Sequence, residues 1–140
     1  MSNRPHSIHH VNVPIADPER TKEWYGNVFG LKHIPITKPQ GGAPGVDEVL
    51  LLTRGNFDLH FTVHRGDGPI PDIKPHHFCV EVEDWDGFME HLQSLGIETF
   101  GYFERPQNNS KATYIYDPDQ NLVELAYHGD WNHDSPHPQP

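Results

Sequence analysis

Residues 7–15 alternate between two faces: Val11, Val13 and Ile15 occupy odd positions, as does His9, whereas His10 and Asn12 occupy even ones. Alternation with a period of two is typical of a strand with one buried face. Asp17 and the proline after it form a combination that caps and begins a helix. Apolar residues then recur at helical spacing until Gly30, which ends the helix. The pattern predicts a strand followed by a helix.

The same pattern returns at an offset of 67 residues, which aligns His10 with His77 and Asp17 with Asp84. Residues 76–83 alternate in the same way and leave His77 on the polar face, and Asp84 begins a second helix. Internal repetition of this kind is decisive for architecture. The chain is therefore predicted to be a tandem of two similar modules.

Each predicted helix is followed by three further strands. They are expected at residues 31–36, 46–53 and 57–63, and at 97–103, 111–117 and 122–127. The prediction is an α+β fold, a single domain over 1–140 made of two βαβββ modules with concave sheets. The modules span 6–64 and 75–128, with a Pro/Gly linker at 65–74 and a loose tail at 129–140.

The amino-acid composition limits the kinds of molecule that the chain is expected to bind. The formal net charge of −10 argues against nucleic acid or an anionic membrane. The longest apolar run is too short to span a bilayer, and the N-terminus lacks the apolar segment of a secretory signal. The single cysteine, Cys79, excludes an internal disulfide and suits a reducing cytosol, so a cytoplasmic location is expected. The 12 histidines outnumber lysine and arginine together and direct attention to metal ligation.

Four strands carry a potential ligand on the face opposite their apolar face: His10, His60, His77 and Glu124. Imidazole nitrogens and a carboxylate oxygen suit a divalent first-row metal. Two histidines and one carboxylate with open positions favour Fe2+, whereas a fourth protein ligand favours a Lewis-acid metal such as Zn2+, Ni2+, Mn2+ or Co2+.

Several motifs in order carry a family resemblance over residues 6–127. They are Ile8-x-His10-Val11, Trp24-Tyr25 through Gly30-Leu31, His77-Phe78-x-Val80, and Tyr114-x-Tyr116-Asp117-Pro118-Asp119 ahead of Val123-Glu124-Leu125. The chain resembles the vicinal oxygen chelate superfamily, which includes glyoxalase I, extradiol dioxygenases and bleomycin resistance proteins. The resemblance implies a U-shaped cleft, a homodimer, and a metal held by His10, His77 and Glu124, with His60 as a ligand in some branches.

Further roles are expected around this set. Tyr114 matches a tyrosine of the extradiol dioxygenases and is a candidate catalytic residue. His60 is open between a fourth ligand, a catalytic acid or base, and an ordinary cleft residue. Asn12 and Cys79 flank the ligands and are predicted to line the substrate cavity.

Two further predictions concern residues that are not expected to bind the metal. His9 and His76 each precede a predicted ligand, so alternation predicts that they lie on the opposite face and pack there. In the last hairpin turn the resembling family usually has glycine where this chain has Gln120. Asn121 is expected to supply the left-handed residue of that turn.

Three functions remain open. The first is a metal-dependent enzyme acting on a small substrate that chelates the metal through adjacent oxygens, with extradiol dioxygenase chemistry favoured. The second is a glyoxalase- or epimerase-like lyase or isomerase that uses metal-assisted proton transfer. The third is a drug-binding protein of the bleomycin resistance type, which needs no metal.

Overall fold

The computed structural model describes residues 5, 7–36 and 45–129. The predicted loop at 37–45, apart from Gly45, and the predicted tail beyond Gly129 lie outside the described residues. The chain divides between Asp72 and Ile73 into two compact units. Neither helix in the described ranges has the length and apolar character needed to cross a membrane.

The first unit contains one helix and one four-stranded sheet. Its elements are β1 (His10–Ile15), α1 (Pro18–Phe29), β2 (Lys32–His33), β3 (Val49–Thr53) and β4 (Asp58–Val63). The strand order is β1-β4-β3-β2. β1 and β4 run parallel, and the other neighbours are antiparallel.

The second unit repeats this topology. Its elements are β5 (Phe78–Glu81), α2 (Trp85–Ser94), β6 (Phe100–Arg105), a short 3-10 helix (Pro106–Asn108), β7 (Ser110–Tyr116) and β8 (Leu122–His128). The strand order is β5-β8-β7-β6, with β5 and β8 parallel. The prediction of an α+β fold built from two tandem βαβββ modules is confirmed.

The residues at the two ends of α1 explain where this helix begins and where it stops. The Asp17 carboxylate accepts hydrogen bonds from two backbone N–H groups of the first turn, at 3.0 and 3.3 Å, which satisfies donors that have no partner inside the helix. Gly30 adopts a left-handed conformation, with φ of 71°, and donates its N–H to the Gly26 carbonyl. Glycine takes this conformation without steric cost, so the helix stops there.

Alternation places the core of each unit on one face of its sheet. In the first unit the fully buried side chains include Ile15, Tyr25 and Phe61, and the Tyr25 and Phe61 rings pack with centroids 4.9 Å apart. In the second unit Val123 and Leu125 of β8 are fully buried. The opposite faces of both sheets carry the polar residues discussed below.

Several strands are shorter than predicted. β1 begins at His10 and β5 at Phe78, so His9, His76 and His77 precede their strands. The predicted strand at 31–36 is reduced to the two residues of β2. Alternation predicts which side chains can pack, but the hydrogen bonds to neighbouring strands decide where a ladder begins.

The turn between β7 and β8 differs from the prediction in one residue. Gln120, not Asn121, has the left-handed conformation, with φ of 66°. Asn121 is buried, and its N–H and side-chain amide both donate to the Asp117 carboxylate, at 2.8 and 2.9 Å. These bonds hold Asn121 in place, so the left-handed residue is the one before it.

Candidate metal centre

His10 and His60 lie together in the first unit. β1 and β4 are neighbouring parallel strands, and Asn12 is the register partner of His60, so His10 and His60 share the polar face. Their rings are nearly parallel, at 19°, with centroids 3.7 Å apart. The structure thus brings these two predicted ligands together.

Asp58 lies beside this pair. Its Oδ2 is 3.7 Å from Nε2 of His60. The pKa of Asp58 is lowered, first by a hydrogen bond from Thr53, with burial opposing the shift and the nearby histidines adding to it. Asp58 therefore supplies a carboxylate that orients the imidazole, a partner that metal-ligating histidines commonly have.

The imidazole of His60 favours its neutral form. Burial lowers its pKa, the charge of His10 lowers it further, and Asp58 opposes the shift. Only a neutral imidazole has a nitrogen lone pair to give to a metal or to accept a proton. His60 is therefore suited to either role predicted for it.

The prediction for His9 is wrong. Its ring lies beside the ligand candidates instead of packing on the opposite face, with Nδ1 3.1 Å from Nδ1 of His10 and Nε2 3.6 Å from Oδ2 of Asp58. His9 precedes the first residue of β1, so the alternation of the strand does not fix its direction. The sequence did hold one signal for this arrangement, which is the pair of consecutive histidines, His9 and His10, at the start of a strand. His76 is exposed, and its packing role stays a prediction.

Asn12, predicted to contact substrate, lies on the same face as His60. It is exposed, and its Oδ1 accepts a hydrogen bond from the Thr62 hydroxyl at 2.7 Å. The bond fixes the orientation of the amide, so that its NH2 group is the end left to donate elsewhere. A substrate contact through this group stays a prediction.

His77 and Glu124 lie together in the second unit. Nδ1 of His77 is 3.0 Å from the Pro75 carbonyl oxygen, which can only accept, so Nδ1 carries the proton of this hydrogen bond. In the neutral imidazole Nε2 then has a free lone pair, and it lies 3.5 Å from Oε1 of Glu124. A backbone carbonyl that fixes the tautomer in this way is typical of metal-ligating histidines.

Glu124 also accepts a hydrogen bond from Tyr114, whose hydroxyl lies 2.7 Å from Oε1. Burial opposes ionisation of Glu124, but the hydrogen bonds from Tyr114 and Cys79 and the charge of His77 outweigh it, so the pKa of Glu124 is lowered. The same bond, with burial, raises the pKa of Tyr114 and keeps its hydroxyl protonated. Tyr114 thus contacts a predicted ligand, and its catalytic role stays a prediction.

Cys79 is the register partner of Glu124 on the neighbouring strand. Cys79 is exposed as a residue, but desolvation of its thiol raises the pKa strongly, and the Glu124 carboxylate adds to the shift. The thiol is therefore protonated at neutral pH and is a poor nucleophile. The predicted role of Cys79 as a lining residue of the substrate cavity stays a prediction.

Two polar contacts in the structure, those of Asp58 and of His128 with Glu81, were not predicted from the sequence. Asp58 was not a candidate because an acidic residue at a strand start is usually solvated. Between the neighbouring strands β5 and β8, the His128 ring donates a hydrogen bond from Nδ1 to Oε2 of Glu81 at 2.8 Å. Glu81 lies on the same face of β5 as Cys79, but only the pairing of β5 with β8 brings His128 to it.

Comparison with known proteins gives consistent matches. The sequence model of the "Glyoxalase/Bleomycin resistance protein/Dioxygenase superfamily" matches residues 7–125. The protein YwkD of Bacillus subtilis is 27% identical over 125 residues, which is 85% of this chain and 94% of YwkD.

Solved structures agree in fold. A glyoxalase family protein from Bacillus anthracis aligns with a TM-score of 0.69 at 27% identity, covering 91% of this chain and 99% of that one. The fosfomycin resistance protein FosX from Listeria monocytogenes, as a variant in complex with Mn(II) and 1S,2S-dihydroxypropylphosphonic acid, aligns with a TM-score of 0.68 at 18% identity, covering 89% and 94%.

Proposed function

Because the chain belongs to the Glyoxalase/Bleomycin resistance protein/Dioxygenase superfamily, we propose that it is an enzyme that depends on a divalent metal. Its substrate is a small molecule whose adjacent oxygens chelate that metal. The observation that carries the proposal is the His77–Glu124 pair, in which Nε2 of an imidazole held by a backbone carbonyl lies 3.5 Å from a carboxylate oxygen. Two acceptors at this distance suit a cation bound by both.

The available donors fit a first-row divalent metal. The proposed ligands are His10, His77 and Glu124, with His60 as the fourth. Imidazole and carboxylate are ligands for Fe2+, Zn2+, Ni2+, Mn2+ and Co2+. The metal would supply Lewis acidity, polarising a substrate oxygen and stabilising the negative charge that develops on it.

The chain's own residues hold and orient these groups. The Pro75 carbonyl fixes the tautomer of His77, and the Tyr114 hydroxyl holds Glu124 through Oε1. In the first unit Asp58 faces Nε2 of His60. Asn12 presents its amide NH2 to a substrate oxygen, and Cys79 provides an uncharged wall beside Glu124.

Two reaction classes follow from this proposal, and different features favour each. Extradiol dioxygenase chemistry with Fe2+ is favoured by an aromatic surface next to Glu124. The rings of Phe100 and Tyr116 stack with their centroids 4.7 Å apart, and the ring centroids of Phe100 and Tyr114 are 6.0 Å apart. Phe100 and Tyr116 are each 39% exposed, which suits stacking against a flat aromatic diol.

A glyoxalase- or epimerase-like proton transfer is favoured instead by His60. Its ring lies against His10, and its depressed pKa keeps it neutral, so it can serve as a fourth ligand or a base. In this case the metal is redox-silent and no oxygen is consumed.

The test begins with protein purified without added metal, whose metal content is measured by mass spectrometry and whose oxygen uptake is followed with catechols. Bound iron together with oxygen uptake supports the dioxygenase, and zinc, nickel, manganese or cobalt without uptake supports the lyase or isomerase. His77→Ala should lose the bound metal, whereas the matched control His76→Ala, next to it in the chain, should retain it. Equal metal content in the two variants would contradict the proposal.

The remaining alternative is a drug-binding protein without chemistry. Such a protein keeps its ligand affinity when a metal ligand is removed. His10→Ala with unchanged ligand affinity and no metal dependence would therefore favour the binding protein over the enzyme.

A further inference from the structure

The second unit contains a carboxylate–imidazole pair that the proposed metal centre does not use. Glu81 is the last residue of β5 and His128 is the last residue of β8, and these two strands are parallel neighbours. Oε2 of Glu81 accepts a hydrogen bond from Nδ1 of His128 at 2.8 Å, and Oε1 accepts one from the His128 backbone N–H at 2.9 Å. Both oxygens of one carboxylate therefore hold a single histidine.

These two bonds fix the orientation and the tautomer of the His128 ring. A carboxylate oxygen can only accept, so Nδ1 carries the proton of the shared bond, and in the neutral ring the lone pair lies on Nε2. The His128 side chain is 32% exposed and the Glu81 side chain is 20% exposed. A ligand can therefore reach the imidazole, while the carboxylate that orients it is more sheltered from water.

His128 lies on the same face of the second sheet as Glu124. The two residues are four positions apart on β8, so alternation directs both side chains the same way, and their Cα atoms lie roughly 13 Å apart. At the register position between them, Ala126 pairs with Ala112, and both alanines are buried. Neither side chain extends beyond its Cβ, so these two alanines form a floor between the longer side chains of Glu124 and His128.

The charge of the pair indicates which ligand group it suits. With the ring neutral, Glu81 and His128 together carry one negative charge, and the whole chain has a formal net charge of −10. A protonated amine donates hydrogen bonds and is positive, so it matches both the lone pair on Nε2 and the charge behind it. Hydrogen bonds in which one partner is charged are the stronger ones.

We propose that the Glu81–His128 pair is a substrate-binding subsite of the proposed enzyme, in which Nε2 of His128 accepts a hydrogen bond from a protonated amine of the substrate. Glu81 is the positioning residue. The substrate is then a small molecule with adjacent oxygens at one end, which chelate the metal, and an amine at the other. This inference rests on the proposed function, because the metal centre at Glu124 holds the first end.

A purely structural pair is the alternative, because Glu81 also accepts the backbone N–H at the end of the β5–β8 pairing. Asparagine at position 128 separates the two roles. Its side-chain amide can donate to Glu81 as Nδ1 does, but it is too short to place an acceptor where Nε2 lies. His128→Asn should therefore keep the thermal midpoint close to that of the unchanged protein, whereas His128→Leu should lower it by removing the donor to Oε2.

The experiment compares two catechols by calorimetry on the full chain loaded with Zn2+ under nitrogen. Dopamine carries an ammonium group on a two-carbon arm, and 4-propylcatechol has a methyl group in place of that ammonium. We expect dopamine to bind about 10–100-fold more tightly, the factor that corresponds to a hydrogen bond with a charged group. His128→Asn should remove this difference and leave the affinity for 4-propylcatechol unchanged. The control His33→Asn, at an exposed histidine of the first unit, should retain the difference.

The outcomes separate the subsite from the function on which it rests. Zn2+-dependent binding of both catechols with equal affinity, or a preference for dopamine that survives His128→Asn, would overturn the subsite and leave the metal centre standing. Catechol binding that needs neither Zn2+ nor His77, or no binding of either catechol, would overturn the proposed function and the subsite with it.

Discussion

Replacing Tyr114 with phenylalanine removes one hydroxyl and keeps the ring. That hydroxyl donates to Oε1 of Glu124 at 2.7 Å, between adjacent strands of the second sheet. The ring also packs edge-on against His77 at 5.7 Å and should remain there. The substitution therefore tests the hydrogen bond and not the packing.

The size of the effect follows from the charge and burial of the acceptor. A hydrogen bond to a charged group contributes about 1.5–3 kcal/mol to stability. The Glu124 side chain is 20% exposed, so water replaces part of the lost bond, and we expect the free energy of unfolding of metal-free protein to fall by about 1–2 kcal/mol. If Glu124 is a ligand, losing the group that orients it should also weaken metal binding by about 10–100-fold.

Urea unfolding in the presence of a chelator measures the first quantity, and a metal titration measures the second. The matched control is Tyr116→Phe, two residues along the same strand, because the contacts that the structure shows for Tyr116 are made by its ring. If Tyr114→Phe and Tyr116→Phe behave alike in both assays, the Tyr114–Glu124 bond neither stabilises the fold nor orients a ligand. If only turnover falls, by about 100-fold or more, Tyr114 is a proton donor to substrate.

Three further substitutions test the fold. Gln120→Gly should raise the free energy of unfolding, measured by urea titration, by up to about 1 kcal/mol, because residue 120 has a positive φ that glycine adopts without strain. A decrease would mean that the Gln120 side chain stabilises the turn. Phe61→Ala should lower the free energy of unfolding by about 3–5 kcal/mol, since the Phe61 side chain is fully buried. A loss of less than about 1 kcal/mol would contradict the place of Phe61 in the core. Asp17→Ala should lower the thermal midpoint, with a loss of about 1 kcal/mol from the cap of α1, and Asp17→Asn should restore most of it.

The sequence was sufficient to predict the two modules and which candidate ligands lie together within each of them. The period-two pattern fixes which face His10 and His60 take, and the parallel pairing of their strands makes them neighbours. The same reasoning placed Glu124 opposite the apolar residues of β8, where it is found beside His77.

What the sequence could not predict depends on tertiary contacts. His9 lies just before β1, so the alternation of the strand does not fix the direction of its side chain. Propensity favoured Asn121 for the left-handed turn residue, but its two bonds to Asp117 require it to remain buried. For Asn121, specific hydrogen bonds override a local preference.

The second unit holds two groups that can each give a lone pair to the same cation. Nε2 of His77 lies 3.5 Å from Oε1 of Glu124, and Nδ1 of the same ring is held by the Pro75 carbonyl. When the imidazole is neutral, two lone pairs face each other there, which is unfavourable unless a proton or a cation lies between them. A proton makes the imidazole positive and satisfies this pair alone, whereas a divalent metal accepts further ligands at the same time. In the first unit the 3.1 Å contact between Nδ1 of His9 and Nδ1 of His10 is satisfied as a hydrogen bond when one ring donates, so the stronger support for a metal comes from the second unit. The His77–Glu124 contact therefore supports the proposed metal centre and agrees less well with a face built only for packing.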